Sequence, residues 1–565
     1  MHSLAIRTRD GMNKYPAKAH AQRVADKLGA SDGLVVLSAT RNVNLPNSDM
    51  PAPFRQDRYF YYLTGCNEPD CHVVYDLKKD KLTLWLPPVD NDWRHVVYYG
   101  NGSTIEQAME KYDIDEARYI EKLDAESLKI PFSAFVHSAD NHLTGSTRKD
   151  LQRTMIATQL HRYKINDIIY NNRESCEQHP ASMPVHTVQD ILSLGQLGTY
   201  DRINCITGVD SDSSLKFAID GCRAIKDDYE IDCIRRANVI TAEAHENVMK
   251  GMPIFSNEAQ VEAAYMQVCI ARHAKAQAYD PISGSGPNAA VLHYSENSAS
   301  FGTGQTIVLD AGCEVECYAA DVTRTIPINE HKPGHWPSEE AADIYKLVEK
   351  IQEACIKEML PGNKYINATW LAHEMLIDGF LELGIFKGDP QDIFHAGTST
   401  AFLPHGLGHH VGLEVHDVSP LLTSVPDHTG SETAAGLWAL YTQWKPKAAE
   451  YIEKLTKAEQ FCLDLGRTSI HSVSAPLLQP GMVVTIEPGI YFNDFLLKRF
   501  LQDPKQTKFI NKDVLKRYIP VGGVRIEDDI LITKKGYENL TTAAKGEEML
   551  TIIRKAAKAA SNQRQ

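Results

Sequence analysis

The chain has 565 residues, 43% of them hydrophobic, and a formal net charge of -14. That apolar content is ample for packed cores, whereas the acidic balance argues against a nucleic-acid binder, whose footprint is basic. Residues 1–10 hold no apolar signal-peptide stretch and no run is long enough to span a bilayer, so no membrane association and a cytoplasmic location are expected.

Eleven cysteines, an odd number scattered without a repeating frame, suit reduced thiols better than a disulfide scaffold. The sequons at Asn101, Asn367 and Asn539 are then expected to be idle. Along residues 1–205, β-rich runs at 32–37, 73–77 and 82–86 alternate with helical stretches at 17–28 and 104–112, which predicts an α/β layer domain. It carries no catalytic constellation.

A second domain is expected over 215–550. It opens with a helix at 227–250, where Ile231, Ile234, Ala237, Ala244 and Val248 fall at helical spacing, followed by another near 259–273. Two strand-like runs come next. Ser338 is a candidate N-cap for a helix bearing Ile344, Leu347, Val348, Ile351 and Cys355, and a further helix is predicted near 369–383. Segments 446–465 and 500–517 are expected to be surface insertions, and 551–565 a solvated helix end or tail. Helices plus two acid-bearing strands in each half predict an α+β fold, a curved antiparallel sheet with helices outside.

The chemistry lies in five short motifs. Asp310 sits in IVLDAG at 307–312, Asp321 in YAADVTRT at 318–325, His409 in HGLGHHVG at 405–412, Glu487 in GMVVTIEPG at 481–489 and Glu527 in GVRIED at 523–528. The first two read as a hairpin with one carboxylate on each strand. Taken singly, an acid closing a strand is most often a turn residue. Their joint occurrence in apolar strands argues otherwise, because a buried ionised carboxylate is costly unless paired or metal-bound. Four carboxylates and an imidazole form an oxygen-rich set able to hold two divalent cations roughly 3.5–4 Å apart with a bridging hydroxide. Such a cluster carries one negative charge in excess, and Arg525, two residues before Glu527 on the same strand face, is placed to offset it.

At these residues the chain resembles the pita-bread metallopeptidases, in their aminopeptidase P and prolidase branch. The segment VLHYSEN at 291–297 resembles the one that places a histidine beside the scissile bond, and His405 and His416 match further family histidines. The likeness runs from about residue 215 to about 545 and is weaker earlier, in FRQD at 54–57 and YLTGCNE at 62–68. It implies a C-terminal pita-bread domain preceded by a smaller α/β domain that shapes the active-site mouth and supports subunit contacts, so a homodimer is expected. It implies that Asp310 chelates one metal, that His409 and Glu487 hold the other, and that Asp321 and Glu527 bridge them. Glu487 is the implied general base.

His293, His405 and His416 are then expected to bind substrate and handle protons, since imidazole titrates near neutral pH. For His410, pointing opposite to His409 on an extended segment, a structural role is expected. Oxygen-rich ligation favours two Mn²⁺, although Co²⁺ or Zn²⁺ would bind. The implied activity is release of the N-terminal residue from small peptides with proline second, the bridging hydroxide attacking the first peptide bond. An Xaa-Pro dipeptidase and an inactive binding protein of the same fold are the alternatives.

Some features are set aside. The glycines at 284–286 and 302–304 lack the dinucleotide fingerprint and read as turns before strands, and His373 lacks the second histidine of a zincin motif. Cys313 and Cys317 read as small buried fillers. Between His416 and Glu487 lie 70 residues, and the stretch at 471–476 lacks an arginine that relatives often carry, which bears on substrate length.

Overall fold

Apolar spacing at Ala17, Ala21, Val24 and Leu28 buries one face of the helix Ala17–Leu28, which ends where Gly29 turns left-handed at φ 64°. This computed structural model describes residues 14–90, 92–120, 134–137, 209–211, 213–302, 304–418 and 477–563. They fall into two compact units, one ending at Cys222 and the other beginning at Arg223. The expected features at 1–10, 446–465 and 471–476 lie outside the described residues. Among those described, no helix is long and apolar enough to cross a membrane, and the cysteines are free thiols.

In the first unit, β1 (Leu34–Ser38), β2 (His72–Asp76), β3 (Lys81–Leu86), β4 (Glu116–Tyr119), β5 (Ala134–His137) and β6 (Val209–Ser211) form one sheet in the order β4-β3-β2-β1-β5-β6. The sheet is mixed. β2 pairs antiparallel with β1 and β3, while β1 with β5, and β3 with β4, run parallel.

The second unit begins with the helix Asp228–Gly251, whose start is fixed by a capping box between Asp227 and Glu230. After the helix Glu258–Ala271 come β7 (Ile282–Ser285), β8 (Gln305–Asp310) and β11 (Thr323–Ile328), an antiparallel sheet with β8 in the middle. The glycine at 284 therefore lies within a strand, not in a turn before one. Ser338 caps the helix Glu339–Lys357 through the Ala341 amide, and Tyr365–Glu382 follows. In the last part, β12 (Val483–Ile486) pairs with β15 (Asp528–Thr533), β15 with β16 (Gly536–Asn539), and β13 (Gly489–Tyr491) with β14 (Gly523–Arg525).

The expected curved sheet is thus divided, among the described residues, into separately paired pieces. A single bridge, Thr323 to Glu527, links β11 to the chain between β14 and β15, and another, His410 to Val484, lays the histidine segment on β12. Alternation along each strand sorts core from site. Ile307, Leu309, Ile326, Val484, Ile486, Val524 and Ile526 pack with Ile344, Val348, Leu376 and Phe380 of the helices, so Asp310, Glu487, Arg525 and Glu527, in the intervening positions, face the other way. Each fully buried Ile or Leu contributes on the order of 1.5–3 kcal/mol. That apolar anchorage fixes the strands that carry the acids.

Two expectations need correcting. Asp310 closes β8, but Asp321 precedes β11 by two residues and is not on a strand. The chain inserts a tiny hairpin, β9 (Glu314–Val315) and β10 (Tyr318–Ala319), turning at Glu316 and Cys317 with φ of 48° and 64°. Gly312 permits this, because a Cβ there would lie 1.7 Å from the Ala320 carbonyl oxygen. Segment 500–517 is also no surface insertion. It carries helices Pro504–Thr507 and Lys512–Tyr518, and Phe509, Ile510, Leu515 and Tyr518 are buried in the main core. The helix Gly546–Gln563 runs through residue 551, so the expected tail begins inside it.

Candidate metal centre

One ligand atom each from Asp321, His409 and Glu527 lies within 4.8 Å of the other two. His409 Nε2 is 3.3 Å from Asp321 Oδ2 and 3.4 Å from Glu487 Oε1. The backbone explains the approach. His409 and Thr485 are tied by Thr485 N–H to His409 O at 2.8 Å and His409 N–H to Thr485 Oγ1 at 3.0 Å, which lays the histidine segment along β12 beside Glu487.

Asp310 joins through two residues. The Tyr279 hydroxyl lies 2.5 Å from both Asp310 Oδ1 and Asp321 Oδ1, and Arg525 Nη2 donates to Asp310 Oδ2 at 2.7 Å. Arg525 Nη1 donates to the Tyr491 hydroxyl at 2.8 Å, which is 2.9 Å from His405 Nε2. His405 Nδ1 donates to the Gly406 carbonyl at 2.7 Å, so in the neutral ring Nε2 is the acceptor from Tyr491. The His416 ring stands edge-on to His409 at 4.2 Å between centroids. His293 is exposed, near enough for its charge to act on His416.

Burial and mutual repulsion raise the carboxyls. Glu487 is pushed up to about 7 chiefly by burial, and Asp321 and Glu527 are also raised, burial again coming first. Burial would lower His409, but its hydrogen bond to Asp321 and the charges of Glu487 and Asp321 carry it up to about 9. Charge from His409, then burial, lowers His416 to about 4. Such a set holds its charge only with protons or cations in place. A cation fits it. Glu527 Oε2 accepts from Thr323 Oγ1 at 2.7 Å, yet its buried Oε1 has no hydrogen-bond partner among the described residues, and an orphaned carboxylate oxygen between other acids is what a metal ion satisfies.

All five expected ligands, and Arg525, His405, His416 and His293 with them, are therefore brought to one region of the second unit. His410 is buried with neither ring nitrogen partnered among the described residues, and burial lowers it to about 3. His373, the incomplete zincin histidine, is buried against Ser399 Oγ at 3.0 Å.

Sequence reasoning missed Tyr279, Tyr491 and a supporting acid. Asp529 Oδ2 accepts the Asp321 amide at 3.0 Å and Asn238 Nδ2 at 2.7 Å, fixing the backbone of an expected ligand. It also missed the buried cluster behind the histidine segment, where Asp417 binds Arg223 at 2.6 Å and Lys226 at 2.9 Å. The acid after His416 in VHD was the one available signal for it.

A buried set of carboxylates and one imidazole, with a cationic and histidine-rich margin, defines a metal-dependent hydrolase. Residues 232–534 match metallopeptidase family M24, and residues 17–131 match the N-terminal domain of aminopeptidase P. A protein of Pyrenophora tritici-repentis named as a probable Xaa-Pro aminopeptidase is 44% identical over 98% of this chain and 73% of its own. One of Aspergillus clavatus with the same description is 41% identical over 97% of this chain and 94% of its own. The fold is shared with aminopeptidase P of Escherichia coli in complex with the inhibitor Pro-Leu, at a TM-score of 0.66 and 24% identity over 97% of this chain and 100% of the other. The chain belongs to metallopeptidase family M24, on its aminopeptidase P branch, with a pita-bread domain preceded by an aminopeptidase P N-terminal domain.

Proposed function

We propose that the chain is a metallo-exopeptidase that releases the N-terminal residue of peptides with proline in second place. The observation that carries this is the convergence of Asp310, Asp321, His409, Glu487 and Glu527 in a chain of the aminopeptidase P branch. Asp310, Asp321, His409, Glu487 and Glu527 would hold the metal, and oxygen-rich ligation favours two Mn²⁺. Bound cations supply Lewis acidity and a water made nucleophilic near neutral pH.

The side chains do the rest. Glu487 takes the proton of the attacking water, and Arg525 offsets the negative excess of the cluster from its ion pair with Asp310. His405 and His416 hydrogen-bond the developing negative charge and return a proton to the proline nitrogen as it leaves. His293 hydrogen-bonds the substrate beside the scissile bond, near the developing oxyanion. Proline has no amide N–H, so a peptidase that pairs with that group fails on it, and a site of imidazoles and apolar side chains has no such requirement. Residues 1–205 form the accessory domain, 215–550 the catalytic one and 551–565 its end; the protein works in the cytoplasm as a homodimer, without nucleic-acid or membrane partners.

Product analysis with Xaa-Pro and Xaa-Pro-Yaa-Zaa peptides side by side in Mn²⁺ tests the reading. Free Xaa from both supports it. Cleavage of the dipeptide alone makes the protein a dipeptidase, and cleavage of neither by metal-loaded protein leaves the binding-protein alternative.

A further inference from the structure

Glu258, the first residue of the helix Glu258–Ala271, is wholly buried, and no cation among the described residues pairs with it. Five donors surround it instead. Oε1 accepts from the Ser285 amide at 2.7 Å, the Ser285 hydroxyl at 2.8 Å and Asn288 Nδ2 at 3.0 Å. Oε2 accepts from the Tyr294 hydroxyl at 2.8 Å and the Ala299 amide at 2.9 Å. Burial would raise this carboxyl, but the bonds from Asn288, Ser285 and Ala299 outweigh it and hold it below its ordinary value.

The donors are not scattered. One oxygen binds the chain where it leaves β7, the other where it returns, and His293 lies between them. The His293 side chain is exposed and makes no hydrogen bond of its own to a described residue, so its position is inherited from the backbone. Asn297, at φ 45°, ties the same segment again, accepting the Ser283 amide at 2.9 Å and donating to Glu262 at 2.9 Å and the Pro281 carbonyl at 2.7 Å.

We propose that Glu258 is a positioning residue for His293, a buried carboxylate that clamps both ends of the segment carrying this substrate-binding histidine. The inference rests on the role given to His293 above. Charge-assisted hydrogen bonds are about twice as strong as neutral ones, and a misplacement of about 1 Å costs roughly 100-fold in rate. Glu258→Gln is nearly isosteric, but its amide nitrogen cannot accept, so one end of the clamp must open.

The test is a double-mutant cycle of Glu258→Gln and His293→Ala, with kcat/KM and metal content measured on the same preparations. Glu258→Gln alone should lower kcat/KM by about 10- to 100-fold at unchanged metal content, and should cost less than about twofold more in the His293→Ala background. A purely structural role would cost the same in both. Equal losses in a His293→Ala background that is itself slow overturn the clamp alone, while a fully active His293→Ala overturns the clamp and the role of His293 together. Should Glu258→Gln not fold, Tyr294→Phe removes one donor from Glu258 Oε2. It must show a smaller loss that again vanishes in the His293→Ala background; a loss that persists there overturns the clamp.

Discussion

Arg525 Nη2 lies 2.7 Å from Asp310 Oδ2, with only 4% and 12% of the two side chains exposed. The guanidinium is thus the fixed positive charge of the acidic cluster, and its other arm reaches His405 through Tyr491. Arg525→Met should lower kcat/KM by on the order of 100-fold while the metals stay bound, because a carboxylate freed from its cation is a better ligand. Tyr491→Phe should give a smaller loss, about tenfold. Metal loss in Arg525→Met would show that the arginine shapes the ligands and does not balance charge.

Histidines that hold metal and histidines that handle protons fail differently. His409→Ala should lose metal and turnover together. His293→Ala, His405→Ala and His416→Ala should keep their metals and slow by on the order of 100-fold or more. Metal content and rate on each preparation decide it. A metal-poor His416→Ala beside a fully loaded His409→Ala would mean that the roles are interchanged.

The pH dependence has a definite sign. A group whose folded pKa lies above its unfolded value stabilises the fold below the unfolded value, and that stability is gone once the pH passes the folded one. His409 at about 9, against roughly 6.5 unfolded, and Asp529 at about 8 both behave so. His416, lowered to about 4, acts in the opposite sense, but below about pH 6.5. A metal held by His409 would have to displace its proton. Between about pH 6.5 and 9 the Tm of chelator-treated protein should therefore fall while that of Mn²⁺-loaded protein does not follow, and the gap should widen by a few degrees. A gap that narrows with rising pH contradicts protonation of the ligand set.

Asp417 is held by Arg223 and Lys226, all three side chains 1% exposed. Lys226→Met leaves Asp417 paired with Arg223 and should destabilise the fold by about 1.5–3 kcal/mol, the worth of a hydrogen bond to a charged group. Chemical denaturation measures it. Asp417→Asn should cost more, about 3–5 kcal/mol, since it strands the buried Lys226 while Arg223 keeps Glu414.

The candidate ligands were legible because an ionised acid set among Ile, Val and Leu is costly to bury unless a cation offsets its charge. Alternation in IVLD alone puts Asp310 on the face opposite Ile307 and Leu309. Residues whose role depends on distant partners were not legible. Tyr279 meets acids 31 and 42 positions away, and Asp529 supports an amide 208 positions away. Neither sits in a pattern that spacing could flag. Segment 500–517 misled for another reason, since its lysines lie on the outer face of short helices and composition averages that face with buried Phe509, Ile510 and Leu515.

The central claim is that this cluster holds the metal, and Asp321 is its most shared member, touching His409 and Tyr279 at once. Metal bound per chain in Asp321→Asn, after reconstitution with Mn²⁺ and removal of free ions, is the most direct measurement. We expect two ions per chain in the unaltered protein, and in the variant a clear loss of metal with its circular dichroism unchanged. Two ions per chain in Asp321→Asn at normal turnover would contradict the account.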